Sequence, residues 1–197
     1  MNFRASRLLP VVPLLLSALL QGCAAAVVGG AATGAAVVHD RRSAGMVLDD
    51  QSRELKGTEL LAAHPEIADH SNISVTSYNR WILLTGQADN QEVSTRAGQL
   101  IGSMEEVQRV INEVQIGPDL SLSRKSEDSY ITGKVKAALF NVKLPGFDPS
   151  RVKVVTHAGT VYLMGLVTSQ EADATVEQVR VVGGVQRVVR AFERFNP

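Results

Sequence analysis

Two stretches of the chain run through the same order of hydrophobic periods. In the later stretch, "ITGKVKAAL" places Ile131, Val135, Ala138 and Leu139 at i, i+4, i+7 and i+8, the apolar stripe of an amphipathic helix. "RVKVVTHAGTVYLMG" then reads as two β-rich runs around a turn at Ala158-Gly159. "TSQEADATVEQVRVV" opens on Thr168 with Glu171 three residues on, a capping-box signature, and Val176 and Val179 supply part of its buried face. Gly183-Gly184 ends this helix, and "VQRVVRAFERF" follows as a last strand. The predicted order is helix, strand, strand, helix, strand.

The earlier stretch repeats that order. It has a weak leading helix near Ser52–Ala63, strands from Ile73 and Trp81, and a helix from Asn90 capped by Asp89 and Glu92. Leu100 and Ile101 continue the apolar face of that helix, and "VQRVINEVQI" is the final strand. The tetrapeptide "VQRV" stands at 107–110 and again at 185–188, 78 residues apart. A slide of 79 residues pairs Val75 with Val154, Leu84 with Leu163, Gly86 with Gly165, Glu92 with Glu171 and Gln99 with Gln178. A one-residue slip is therefore expected between Gln99 and the first "VQRV". Self-similarity of this kind marks a duplicated folding unit.

The expected fold class is α+β: two tandem homologous domains, each a three-stranded sheet with two helices on one face. The boundaries fall at 49–117 and 127–197, joined by the polar residues 118–126. One departure separates the copies. Slid back by 78, the stripe Ile131, Val135, Ala138, Leu139 becomes Arg53, Gly57, Leu60, Leu61. A mid-helix Gly costs about 1 kcal/mol against Ala. The first leading helix is expected to be less stable, or packed differently.

The N-terminus changes the picture by giving an address. Arg4 and Arg7 precede an apolar run, Leu8–Leu20, too short to span a bilayer and suited to a signal peptide. Cys23 is the only cysteine, so no intrachain disulfide is available. "LLQGC" resembles a bacterial lipobox. That resemblance implies a signal peptide over 1–22, cleavage before Cys23, and a diacylglycerol on its sulfur with an acylated amine. Several acyl chains make a durable anchor where one is marginal. Ala24, rather than Asp, after the cysteine favours outer-membrane sorting by resemblance to enterobacterial lipoproteins. Residues 23–48 then form the anchor and an Ala/Gly/Val-rich tether.

Charge narrows the partners. The chain holds 20 basic and 20 acidic residues; without residues 1–22 these become 18 and 20, a net −2. No broad basic surface for nucleic acid is present. His39, His64, His70 and His157 lack the spacing of a metal site. There is no nucleophile elbow, and the acid pairs Asp49-Asp50 and Glu105-Glu106 read as solvated turns rather than a catalytic dyad. No enzyme, cofactor or metal is expected.

A lipobox followed by two such units, each with a glycine late in its second strand, resembles the dual BON-domain lipoproteins of the proteobacterial envelope. The resemblance rests on "LLQGC", the tether, "DRRSAG", "ISVTSYNRWILLTGQ" and "KVVTHAGTVYLMGLVTSQEA". It implies an outer-membrane lipoprotein facing the periplasm, binding of anionic phospholipid, a role in envelope integrity, and no catalysis.

The candidate lipid site is the helix "SYITGKVKAALFN". Opposite its core stripe lie Gly133, Lys136, Ala137 and Phe140, flanked by Tyr130 and Lys134. Rings beside lysines suit a bilayer surface, where aromatics enter the interface and ammonium groups meet phosphates. The alternative is that Phe140 packs against the sheet or the other domain and that the lysines are merely solvated. The family resemblance favours Tyr130, Lys134, Lys136 and Phe140 as the phospholipid site. A rival function of another class is a protein-interaction scaffold for an envelope assembly or cell-wall enzyme complex. It predicts an apolar groove or an exposed sheet edge.

Overall fold

The computed structural model describes residues 40–196. Cys23, the signal segment and residues 24–39 of the tether lie outside the described residues. Ser43 opens the first unit by accepting the Met46 amide, and α1 (Ala44–Ala62) follows. A short α2 (Pro65–Ala68) leads to β1 (Ser71–Tyr78), β2 (Trp81–Ala88), α3 (Gln91–Gly102) and β3 (Arg109–Ile116). The second unit runs α4 (Leu122–Leu139), a 3-10 turn (Pro149–Arg151), β4 (Val152–His157), β5 (Thr160–Val167), α5 (Ser169–Val179) and β6 (Arg187–Arg194). In each sheet the middle strand lies antiparallel to the strand before it and parallel to the strand after. The order helix, strand, strand, helix, strand is present twice.

The strand registers show the duplication residue by residue. Gly86 pairs with Ile73 and Val114, and Gly165 pairs with Val152 and Phe192. Val110 faces Ile82 and Val188 faces Val161. The two glycines hold the same place for the same reason. A Cβ at Gly86 would overlap the Asn72 carbonyl oxygen, and one at Gly165 would stand 2.6 Å from the Arg151 carbonyl oxygen. Gly86 also has φ +133°, a conformation other residues seldom adopt.

The one-residue slip sits earlier than the sequence reading placed it. The α3 cap is Asn90, accepting from the Val93 amide, and the α5 cap is Thr168, so the offset is already 78 at the helix starts. Val93, Ala97 and Ile101 are buried in α3 where Glu171, Thr175 and Val179 are buried in α5. The extra residue is Asp89, which meets His70 rather than capping the helix. Glu92 therefore does not correspond to Glu171.

Both leading helices start earlier than the apolar stripe suggested: α1 at Ala44, and α4 at Leu122, inside the stretch read as a polar join. Ser121 caps α4 by accepting from the Arg124 amide, and Arg124 pairs with Glu127 one turn on. The first turns of α4 are polar after Leu122 and carry no apolar period to read, whereas α1 opens on Met46, Val47 and Leu48, whose apolar run does not continue the stripe of Leu60 and Leu61. The Arg53/Gly57 departure is resolved by packing. Without a Cβ at Gly57, α1 approaches the sheet closely; a Cβ there would stand 3.0 Å from Val75 Cγ1. Arg53 is buried between Asp50 and Glu106.

Each sheet buries both faces. Ile82 and Leu84 pack under α1 and α3, and Val161 and Leu163 under α4 and α5. The alternate residues Tyr78, Leu83, Tyr162, Met164 and Ala191 form a third cluster in which the two sheets meet. The result is four layers, helices outside and sheets within, in one compact unit. The contact follows the repeat: Gln87 meets His157, while the residues equivalent to them, Leu166 and Tyr78, pack together on the other side.

Gly86→Ala is expected to lose about 1–3 kcal/mol, because it forces both an overlap and a disfavoured φ. Gly133, on the outside of α4 with nothing within 4 Å of a Cβ, is expected to gain up to about 1 kcal/mol as Ala. Thermal unfolding of the two variants checks the contrast in sign.

Candidate functional site

The outer face of α4 is created by its inner one. Asp128, Ile131, Val135 and Leu139 turn inward, which directs the intervening positions outward. Tyr130 is 68% exposed and Phe140, the C-cap residue, 78% exposed. Phe140 therefore packs neither on the sheet nor on the other domain. Lys134 lies with its Nζ 4.6 Å from the Tyr130 ring centroid and also donates to the Gly183 carbonyl oxygen. Lys136 is exposed on the last turn. Of the four residues named from sequence, Tyr130, Lys136 and Phe140 face solvent, and half-buried Lys134 flanks them in contact with Tyr130. Sequence reasoning missed Leu122, 83% exposed at the head of the same helix, and Val181, 72% exposed on the α5–β6 connection. The helical period would have shown Leu122, had the helix start been known.

A second site, unforeseen, joins the two units at one end of the sheet contact. Asp50 is not on a solvated turn; it is 2% exposed. Its carboxylate accepts from the Asn79 amide at 2.7 Å, the Arg80 amide at 3.2 Å and Ser77 Oγ at 2.8 Å. Arg42 and Arg53 pair with it at 2.8 and 2.9 Å. Asn79 and Arg80 have φ of 50° and 69°, the two left-handed residues of a tight hairpin. Asp50 holds that turn closed, as Asp128 does for Ala158 and Gly159 in the second unit. The two aspartates are 78 residues apart, so the repeat offset itself was the available signal.

Residues 40–42 strap this junction. Arg42 lies 3.7 Å from the Tyr78 ring centroid and pairs with Asp40. Arg41 grips Glu171 with both terminal nitrogens, at 2.5 and 3.0 Å, and donates to the Leu166 carbonyl oxygen. Glu171 also accepts from the Thr168 amide, completing the capping box, and pairs with Arg151. Burial would raise the Asp50 carboxyl, but the Asn79 and Arg80 amides, Ser77 and Arg42 outweigh it and hold it below its ordinary value. Burial likewise opposes Glu171, and Arg41 and the Thr168 amide draw it down. The Tyr78 hydroxyl is pushed up to about 12, by burial and then by Asp40.

A family model for the BON domain matches residues 49–118 and 127–193. The chain belongs to the BON-domain family. It is 35% identical over 178 residues to the outer membrane lipoprotein DolP of Haemophilus influenzae, covering 90% of this chain and 91% of that one. It is 34% identical over 154 residues to a 21 kDa hemolysin of Actinobacillus pleuropneumoniae, covering 78% of each chain. A solved structure of CdsD, a structural protein of the type III secretion system of Chlamydia trachomatis, is 18% identical and covers 74% of this chain and 63% of that chain. Its TM-score of 0.29 carries no argument. The homology supports a DolP-like outer membrane lipoprotein with two BON domains. Among the described residues no helix is long and apolar enough to cross a membrane.

In the first BON domain Asp50 and in the second Glu171 titrate below their unfolded values of about 3.9 and 4.3. Their contribution to stability is fully present above roughly pH 5 and is lost as pH falls through the folded values. Asp50→Asn should be less stable at neutral pH and should show a flatter acid limb. Urea midpoints across the acid range check this; a variant whose profile parallels wild type would refute the role given to Asp50.

Proposed function

We propose that this BON-domain protein is held to the outer membrane through acylated Cys23, faces the periplasm, and supports outer-membrane integrity by binding anionic phospholipid along α4. The observation that carries the reading is the exposure of Tyr130 and Phe140 on a helix face with Lys134 and Lys136. Leaving such rings in water gains nothing, whereas a bilayer interface accepts both the rings and the ammonium groups. The packing of the sheets against each other supports this reading, since it leaves the helices as the outer layers. DolP, to which the chain is similar, is an outer membrane lipoprotein by name.

Two outcomes are expected. Cys23→Ala abolishes acylation and membrane retention, and intact-mass measurement of the mature wild type shows a modified residue 23; a free thiol there would overturn the anchor. The second uses liposome co-sedimentation of the chain from Ala24 onward. Each lysine at an anionic surface contributes about 1 kcal/mol, so Lys134→Glu with Lys136→Glu weakens binding at least tenfold. The loss shrinks in high salt. Phe140→Ala weakens binding with little salt dependence. If the folded double variant sediments with anionic liposomes as wild type does, α4 is not the lipid face. If wild type shows no anionic preference, the scaffold reading replaces this one.

A further inference from the structure

The near-symmetry of the two BON domains produces two equivalent junctions between them, and they are filled differently. At one, Asp50 receives the Arg42 guanidinium, which lies over the Tyr78 ring, beside Leu166. The equivalents of Asp50, Tyr78, Leu166 and Arg41 under the repeat are Asp128, His157, Gln87 and Asp119. These four meet at the other junction, where Asp119 stands in place of Arg41, no arginine of the described residues enters, and a cavity of about 240 Å³ opens between the domains.

Its lining calls for a cation. Asp128 is 6% exposed and accepts the Ala158 and Gly159 amides, yet pairs with no cationic side chain among the described residues. Buried carboxylates are normally paired, as Asp50 is. Gln87, also 6% exposed, places its amide nitrogen 2.7 Å from His157 Nε2 and leaves Oε1 buried without a hydrogen-bond partner. Asp119 adds a second carboxylate at the rim, partnered by Asn72 and by Lys125, whose Nζ stands 2.8 Å away. Burial lowers His157 below its ordinary value, so its ring is uncharged at neutral pH and does not repel a cation. A guanidinium suits this set better than an ammonium, because its planar fork can serve Asp128 and Gln87 together while its face lies on the imidazole.

We propose that the cavity bounded by Asp128, Asp119, Gln87 and His157 is a binding site for a guanidinium group, carried either by an arginine of a partner polypeptide or by a small free cation. Bound there, the guanidinium pairs with Asp128 and donates to Gln87 Oε1, reproducing the Arg42–Asp50 contact of the opposite junction. Lys125 competes for the Asp119 carboxylate.

The test titrates the full chain, in detergent micelles, with the peptide acetyl-Gly-Arg-Gly-amide, the matching citrulline peptide, and agmatine, by calorimetry. Saturable binding of an arginine-type ligand, absent for citrulline, is expected. Gln87→Leu should weaken it by about tenfold or more, as for loss of a hydrogen bond to a charged group. Asp119→Asn should weaken it less, being at the rim, and Lys125→Ala should tighten it. Agmatine binding as tightly as the peptide assigns the site to a free cation; peptide binding alone assigns it to a polypeptide. The proposal is overturned if neither guanidinium ligand saturates at millimolar concentration, or if Gln87→Leu and Asp119→Asn, shown folded by circular dichroism, bind as wild type. Weaker binding by Lys125→Ala would overturn it too, by marking the site as one for anions.

Discussion

The burial of one sheet against the other is the constraint on which the rest of this protein depends. A three-stranded sheet with helices on one side leaves its second side to water unless something covers it. Here each duplicated unit covers the other. Leu83 of β2 and Tyr162 and Met164 of β5 are fully buried in that contact, Leu83 and Met164 each contributing roughly 1.5–3 kcal/mol if they would otherwise be exposed. Because the sheets occupy the inside, the helices form both outer layers. The exposure of Tyr130 and Phe140 on α4 is a consequence: there is no protein surface left for that face to meet.

A contact between two similar units tends to repeat itself about an axis, and the points where the copies diverge are then informative. Asp50 and Asp128 do one shared job, closing a hairpin whose two turn residues are left-handed. Only Asp50 has acquired arginines in addition. Arg53 comes from α1 itself and Arg42 from residues 40–42, so that short segment is fastened across both domains, to Asp50 in the first and to Glu171 in the second. The opposite junction kept its carboxylate, Asp128, without those arginines.

Much of the fold was legible in the sequence because the information is local or periodic. The helical stripe from Ile131 to Leu139, the turn at Ala158-Gly159, the Thr168/Glu171 capping box and the late glycines Gly86 and Gly165 each follow from short-range sterics or hydrogen bonding. Comparing the two copies then fixed the order of elements. Where the reading slipped, it was where periodicity gives no signal: the polar first turns of α4, the start of α1 ahead of its stripe, and the extra Asp89 before α3. The unbroken apolar runs in "WILLTG" and "TVYLMG" were a readable sign of strands buried on both faces, since a strand with one wet face alternates.

By itself the sequence determined a duplicated α+β architecture and the outward arc of α4, with Lys136 and Phe140 opposite the core stripe and Tyr130 and Lys134 flanking them, because helix and strand periods dictate which side chains lie together. It could not determine what covers the second face of each sheet, which pairing brings Arg41 to a glutamate 130 positions away, or that Asp50 is buried rather than solvated. Those depend on contacts between residues far apart in the chain. Only the tertiary structure decides them, since the free energy of burying a charge or an apolar face is set by the partner that meets it.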